Sequence, residues 1–181
     1  MRRPLAEPNL KIPEGRGTPV DGECDENYMY NPSLEMIGAL NGYFPPARLK
    51  IFREMAADPN IDFLIRKHPE GGLWGYLMHS MVPMKDVEYK FTIPILPGQE
   101  TLQFDGWVHP DYRGMLIAIF ASNWVFDRRR KTGHKAIVVA VRSKDRTAMR
   151  FHDRFGYKSI GTIKHYRVGK LRWNKVQMDG R

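Results

Sequence analysis

The chain has 181 residues, of which 42% are hydrophobic and 12% aromatic, a composition typical of one folded globular domain. No apolar run approaches the roughly 20 residues that a membrane helix needs, so we expect neither a membrane span nor a signal peptide. The single cysteine, Cys24, excludes a disulfide within the chain and favours an intracellular, cytoplasmic protein, or one assembled inside a cell.

The net charge of +9 is unevenly distributed along the chain. Residues 128–181 contain 17 Lys and Arg against 3 Asp and Glu, a formal charge of +14, which leaves −5 for residues 1–127. A basic half of this kind favours an anionic partner, such as nucleic acid, an acidic carrier protein or a polyphosphate cofactor. A solvated surface that keeps the protein soluble is the alternative explanation.

The first half of the chain predicts an arm, two helices and several strands. Residues 1–30 are rich in Pro, Gly and charge and show no helix or strand period, which predicts an extended or disordered arm before one domain over residues 31–181. Helices are predicted over residues 33–40 and from Pro46 to the Asp58-Pro59 stop. The predicted strands that follow cover residues 61–67, 73–82, 87–95 and 101–108.

The second half alternates helices with strands. Residues 114–130 form a dense apolar run that predicts a buried helix, whose basic end at residues 128–131 we expect to be solvated. A continuous apolar strand follows at residues 136–141, then a helix at 144–155 and strands at 157–165 and 171–176. The order predicts a mixed α/β (α+β) domain. Its central sheet has about six to seven mostly antiparallel strands with one parallel pair, flanked by helices.

The sequence VHPDYRG at residues 108–114 joins a predicted strand to the long helix. A strand that ends at a proline and continues through Arg113 and Gly114 into a helix directs helical N–H groups at an anion. The turn therefore predicts an anion-binding site at the start of the helix.

Two motifs together resemble the GNAT superfamily of acyl-CoA N-acyltransferases. The turn is similar to that family's Val-x-Pro-x-Tyr-Arg-Gly pattern. DRTAMRFHDRFGY at residues 145–157 is similar to Asn-x-x-Ala-x-x-x-Tyr-x-x-x-Gly-Phe, with Ala148 and Gly156 at matching offsets. Two positions depart from the family pattern: Leu116 stands in place of a glycine, and Asp145 in place of the asparagine. The resemblance covers about residues 61–176 and implies a GNAT-like fold.

The resemblance also implies a cofactor site, with acetyl-CoA or another acyl-CoA as the cofactor and no metal. Two strands would part near the first motif and hold the pantetheine arm, and the helix start would hold the pyrophosphate. The implied cofactor-binding residues are Trp107, Val108, Arg113, Gly114, Met115, Leu116, Ile117, Ala118 and Asp145.

Two further residues are candidates for acid–base catalysis. His152 stands at the offset of the family's tyrosine acid and could donate a proton as an imidazolium. Asp105, on the strand before the first motif, is the candidate base. A structural histidine at position 152 and a solvent-facing Asp105 are the alternative interpretations.

The leading hypothesis is an N-acyltransferase, most simply an N-acetyltransferase, that moves an acyl group from a CoA thioester to a small-molecule or protein amine by direct attack. Leu116 and the basic half leave open an acyltransferase that takes its acyl group from an acyl-carrier protein. The long arm and the basic half leave open a catalytically inactive GNAT-like fold, acting as a structural or interaction protein in a virion or nucleoprotein assembly. An open slot between the strands near Val108 would count against this last alternative.

Overall fold

The computed structural model describes residues 1–6, 28–67, 73–85, 91–113 and 117–179. The middle of the predicted arm, the predicted turn between the first two strands, the start of the third predicted strand and the start of the long helix lie outside these residues.

The described residues form ten strands, four α-helices and two short 3-10 helices. The strands are β1 (Arg2–Pro4), β2 (Tyr28–Tyr30), β3 (Ile61–Lys67), β4 (Leu73–Ser80), β5 (Met84–Lys85), β6 (Thr92–Ile93), β7 (Glu100–Val108), β8 (Ala136–Val139), β9 (Gly161–Val168) and β10 (Leu171–Met178). The α-helices are α1 (Leu34–Gly38), α2 (Pro46–Ala57), α3 (Ile117–Lys131) and α4 (Arg146–Arg154), and the 3-10 helices are Ala39–Gly42 and Pro110–Tyr112. None of the helices in the described part of the chain combines the length and hydropathy needed to cross a membrane.

Six strands form the central sheet, in the order β1-β8-β7-β4-β3-β2. Every described neighbour pair in this sheet is antiparallel except β7 and β8, which are parallel and are joined through α3. Strands β9 and β10 form a separate hairpin, and β5 and β6 form another small sheet. This arrangement confirms the predicted mixed α/β fold, a mostly antiparallel sheet with one parallel pair and flanking helices.

Both faces of the central sheet are covered, and the alternation of side chains along β3 shows how. Phe63 and Ile65 join a core cluster with residues of α1 and α2. Leu64, between them, points to the opposite face and joins a cluster with Val125 and Phe126 of α3. Because successive strand residues face opposite sides, one strand supplies both cores.

Both ends of the predicted N-terminal arm are strands of this sheet. β1 pairs with β8, with Arg3 opposite Ile137, and β2 pairs with β3. Leu5 is buried in the cluster on the α3 side, and the buried Arg3 donates to the carbonyl of Phe155. The sequence does not reveal these strands because three residues are too few to display an alternating pattern. The first six residues are thus part of the folded domain that we predicted to begin at residue 31.

The basic end of α3 differs from the solvated surface expected from sequence. Arg129 is only 4% exposed and forms an ion pair with Asp62 of β3. Arg130 donates to Asp127 one turn earlier, at 2.7 Å, and to the carbonyl of Leu5. Part of the positive charge of the second half is therefore neutralised inside the protein. The expectation failed because the partner of Arg129 lies far away in the sequence.

Candidate active site

The two parallel strands of the sheet part halfway along their length. β7 and β8 are paired only from Glu100–Ala136 to Gln103–Val139. β7 continues to Val108, whereas β8 ends at Val139, two residues before the end predicted from sequence. Beyond Gln103, the described part of the chain places no strand beside β7 on that side.

A β-bulge in β7 lies at the point where the strands part. Met78 of β4 pairs with Asp105, but the next residue, His79, pairs with Gln103. Phe104 is therefore an extra residue in β7. A bulge bends its strand and increases the local twist. We attribute the divergence of β7 from β8 to this bulge.

The space between the parted strands is a cavity of about 850 Å³. One wall consists of β7 from Gln103 to Val108 with neighbouring residues of β4 and β3, and another consists of the end of β8 and the chain that follows it, residues 139–142. The first turns of α3 and one face of α4 also line the cavity. The slot anticipated between these strands near Val108 is thus open.

The structure brings together five of the nine predicted cofactor-binding residues. Trp107, Val108, Arg113, Ala118 and Asp145 all line the cavity. Of the other four, Gly114, Met115 and Leu116 lie outside the described residues. Ile117 begins α3, but its side chain is not among those described.

Arg113 marks the end of the cavity nearest the start of α3. The 3-10 helix Pro110–Tyr112 precedes it, and the side chain of His109 accepts a hydrogen bond from the N–H of Asp111 at 3.3 Å. The Nε–H of Arg113 donates to the carbonyl of Val108 at 3.2 Å. No carboxylate in the described ranges forms an ion pair with Arg113. The turn thus leaves an exposed cation beside a helix N-terminus, an arrangement that suits an anion.

Asp145 caps the helix whose side chains line the opposite wall. Its Oδ1 accepts a hydrogen bond from the N–H of Ala148 at 2.9 Å. A carboxylate at this position satisfies a free N–H and interacts favourably with the helix dipole. Asp145 is therefore the N-cap of α4.

Asp105 lies on the cavity wall between two polar partners that the sequence did not reveal. Its carboxylate forms an ion pair with Arg48 of α2, and the hydroxyl of Tyr76 on β4 donates to its Oδ1 at 3.3 Å. Arg48 also donates to the Tyr76 hydroxyl at 2.9 Å. The side chain of Asp105 is 24% exposed, which disfavours the interpretation of a purely solvent-facing residue.

The surroundings of Asp105 and Tyr76 change the pKa values of both side chains. Burial raises the pKa of Asp105, and the guanidinium of Arg48 opposes part of that rise. Burial, together with the charge of Asp105, raises the pKa of Tyr76 to about 12. Tyr76 is therefore a neutral hydrogen-bond donor near neutral pH, and Asp105 is a carboxylate whose proton affinity depends on Arg48.

His152 lines the cavity but is only 7% exposed. Its ring contacts those of Phe151 and Tyr157, and its Nδ1 has no hydrogen-bond partner among the described residues. Burial lowers the pKa of His152 to about 4, so its imidazole is neutral near pH 7. The sequence-based prediction of an imidazolium acid at neutral pH conflicts with this burial, which the helical pattern of α4 did not reveal.

Several solved structures share this fold. An aminoglycoside 6'-N-acetyltransferase from Acinetobacter baumannii superposes with a TM-score of 0.60 and 13% identity, over 79% of this chain and 97% of that chain. An aminoglycoside N-acetyltransferase in complex with CoA gives a TM-score of 0.56 and 14% identity, over 78% and 98%. A ribosomal-protein-alanine N-acetyltransferase from Brucella melitensis biovar Abortus gives 0.56 and 12%, also over 78% and 98%.

No protein-family model matches the chain, and no curated protein matches it in sequence. The superpositions establish the fold, whereas identities of only 12–14% leave the reaction to be argued from the site. The strand order, the parallel pair that parts at a bulge, and the structural neighbours agree with the resemblance of the two sequence motifs. The chain has the fold of the GNAT superfamily of N-acetyltransferases.

Proposed function

We propose that this protein is an N-acyltransferase that moves an acyl group, most simply acetyl, from a CoA thioester to an amine. The observation that carries the proposal is the open cavity between the parted strands. Its lining contains both Arg113, a cation beside the start of α3, and Asp105, a carboxylate that forms an ion pair with Arg48. The fold is shared with an aminoglycoside N-acetyltransferase solved with CoA, which supports CoA as the cofactor here.

The described residues fit such a cofactor. The edge of β7 from Phe104 to Val108 offers backbone groups to an extended pantetheine arm, since β8 does not pair with it there. Arg113 and the start of α3 suit the pyrophosphate, which needs positive charge and N–H donors. When bound, acyl-CoA would supply an acyl group activated as a thioester, and CoA would leave as its thiol when the amide bond forms.

Asp105 has the role of base in this proposal. An ammonium group must lose a proton before its nitrogen can attack, and a carboxylate in the same cavity can accept that proton. Burial raises the pKa of Asp105 above that of an exposed carboxylate, and the charge of Arg48 opposes part of that rise and favours the ionised form. Tyr76 holds the carboxylate through a hydrogen bond at 3.3 Å.

His152 takes part in this proposal only as a neutral side chain. With a pKa of about 4, it can donate one N–H hydrogen bond into the cavity, but it does not carry a transferable imidazolium proton at pH 7. The acceptor is an amine, and a structural neighbour solved with a CoA–acetylneamine bisubstrate analogue supports a small-molecule amine as the first class to test.

The inactive-fold alternative requires a closed or filled slot between the strands. A cavity of about 850 Å³ with an exposed arginine at its end counts against that alternative.

Isothermal titration of the full chain with acetyl-CoA and longer acyl-CoAs tests the proposal. We expect binding in the micromolar range, and absence of binding at millimolar ligand would overturn it. Arg113→Gln should weaken binding about tenfold or more, because a charge-assisted contact to phosphate is lost. Arg150→Gln, which removes an exposed arginine of α4 outside the cavity, is the matched control and should bind as the wild type does.

A further inference from the structure

The β9–β10 hairpin extends the protein outside the central sheet. Its two strands are paired antiparallel over eight residue pairs, from Gly161–Met178 to Val168–Leu171. Gly169, with φ of +57°, forms the turn. None of its residues lines the cavity described above.

The two faces of this hairpin differ in exposure. Alternate residues of β9 from Thr162 to Val168, and of β10 from Leu171 to Gln177, share one face by their register, and all of them are exposed. We call this the ribbon face. The opposite face is partly covered, and Ile163 lies on it.

A stacked aromatic pair lies in the middle of the ribbon face. Tyr166 and Trp173 are direct cross-strand partners, their rings are nearly parallel at 9°, and the ring centroids are 5.3 Å apart. Trp173 nevertheless stays 48% exposed and Tyr166 37%. Such a cross-strand pair stabilises the hairpin, and its exposed aromatic surface can also take a planar ligand by stacking.

Positive charge surrounds this pair along the whole hairpin. Lys164 and Lys175 are the neighbouring cross-strand pair on the ribbon face, and Arg167 and Arg172 face each other on the opposite side. With Lys170 at the turn, residues 161–178 carry five Lys and Arg and no Asp or Glu. Like charges directly opposite one another in a hairpin are destabilising, so these pairs do not serve the stability of the hairpin.

These cations also differ from the basic residues at the end of α3. Arg129 and Arg130 are neutralised by Asp62 and Asp127. Across the described residues, no carboxylate forms an ion pair with any of the five hairpin cations. Five cations that are available to an external anion therefore lie on the same hairpin as the exposed aromatic pair.

We propose that the ribbon face binds single-stranded nucleic acid. Lys164 and Lys175 of this face, with Lys170 at the turn, contact phosphates, and unpaired bases stack on Trp173 and Tyr166. Positive charge beside aromatic rings is the combination by which single strands are held without sequence preference. A duplex fits less well, because its bases are already stacked and cannot reach the ring faces.

The distribution of side chains favours nucleic acid over a membrane surface. A hairpin that inserts into lipid needs an apolar tip with its charges set back from it, whereas here Lys170 lies at the turn itself, between Val168 and Leu171. The aromatic pair lies two residues back from the tip, among the cations. The test must therefore distinguish binding to an oligonucleotide from binding to lipid vesicles.

The test uses the full chain and fluorescence anisotropy with a labelled oligo(dT) of about 20 nucleotides, longer than the roughly 4–16 nucleotides that one small binding module covers. Trp173→Ala should weaken binding about five- to 150-fold, the range for loss of one stacked base. The double variant Lys164→Ala, Lys175→Ala should weaken binding and lower the slope of log K against log salt by about 1.4. Far-UV circular dichroism verifies that each variant folds.

The matched control is the double variant Lys50→Ala, Lys85→Ala, which removes the same charge from exposed positions on α2 and β5. It should retain wild-type binding. Equal losses in the control and hairpin double variants would overturn the proposal, since the binding would then follow net charge alone. Binding to vesicles with anionic lipid but not to the oligonucleotide would overturn it too. Neither result depends on acyl-CoA binding, so this proposal and the proposed reaction can fail separately.

Discussion

The guanidinium of Arg48 forms an ion pair with the carboxylate of Asp105, although 57 positions separate the two residues in the sequence. α2 supplies the arginine and β7 supplies the carboxylate, directly after the bulge that separates β7 from β8. The helix that covers one face of the sheet thereby controls the charge of a group inside the cavity. This link between packing and chemistry can be tested through the pH dependence of the reaction.

Asp105→Asn should reduce kcat about 10²- to 10⁴-fold, the usual contribution of a general base. Arg48→Met should instead shift the acid limb of the kcat/KM profile to higher pH, because Arg48 lowers the pKa of Asp105 and its loss lets burial raise that pKa further. Initial rates between pH 5 and 9 with an amine acceptor measure both effects.

Arg53→Met is the control for this pair, since it removes an exposed arginine from the same helix. It should leave the acid limb in place. An acid limb that stays unchanged in Arg48→Met would show that Asp105 is not the group that titrates in the reaction.

Much of the fold could be predicted from sequence because the long elements have strong patterns. β3 has the predicted bounds, and β4, β7, α2, α3 and α4 lie within a few residues of theirs. The motifs also located the cavity, since the strand end and helix start at Arg113 are local features of the chain. Patterns within 10–15 residues were therefore sufficient to predict these long helices and strands and their order in the chain.

The remaining features depend on contacts between distant parts of the chain. The pairing of β1 with β8 involves three residues, too few for a period, and the partner of Asp105 is on a helix that precedes it by several strands. The burial of His152 depends on Tyr157 and the sheet beneath α4, so its low pKa could not be predicted from its spacing. The sequence motifs indicated part of the cavity lining, but neither the partners of Asp105 nor the effect of burial on the pKa of His152.

The N-terminal segment should contribute substantially to stability. Leu5 is 2% exposed and packs among buried side chains of α3, β8 and the chain after α4. Leu5→Ala should lower the free energy of unfolding by about 2–5 kcal/mol, because it leaves a cavity in the core. Urea denaturation followed by circular dichroism measures the change. Leu34→Ala, at a position that is 56% exposed, is the control and should lower the free energy of unfolding far less. If Leu5→Ala lowered it no more than this control, the N-terminal segment would not be docked in solution.

The buried His79 should make the protein acid-sensitive. Burial lowers its pKa to about 3, and neither ring nitrogen has a hydrogen-bond partner among the described residues. Between pH 6.5 and about 3 the unfolded chain binds a proton that the folded protein excludes, so stability is complete above this window and falls as the pH falls through it. From pH 7 to pH 5 this residue costs about 2 kcal/mol.

His79→Leu should remove that part of the acid sensitivity. The loss of unfolding free energy between pH 7 and pH 5 should be smaller by about 2 kcal/mol in the variant, as measured by urea denaturation at each pH. His152, also buried with a lowered pKa, should retain its own share of the pH dependence. If His79→Leu lost as much unfolding free energy between pH 7 and pH 5 as the wild type does, His79 would take up its proton in the folded protein as it does in the unfolded chain.

Two glycines on the cavity wall offer a test of how strictly the site depends on the position of β7. A Cβ on Gly75 would lie 2.5 Å from the carbonyl oxygen of Trp107 and 3.3 Å from the Cα of Val108, both backbone atoms. A Cβ on Gly106 would lie 2.8 Å from the Cδ1 of Leu77, the end of a flexible side chain. Gly75→Ala must therefore displace β7, whereas Gly106→Ala can be accommodated by rotation of Leu77.

Gly75→Ala should cost about 1–3 kcal/mol of stability, as overpacking does, and should weaken acetyl-CoA binding, because Trp107 and Val108 form the edge that faces the slot. Gly106→Ala should retain most of both. Thermal unfolding and isothermal titration of the two variants measure stability and affinity side by side. Equal affinities would show that the cofactor does not contact this end of β7, and would move its binding site toward α3 and α4.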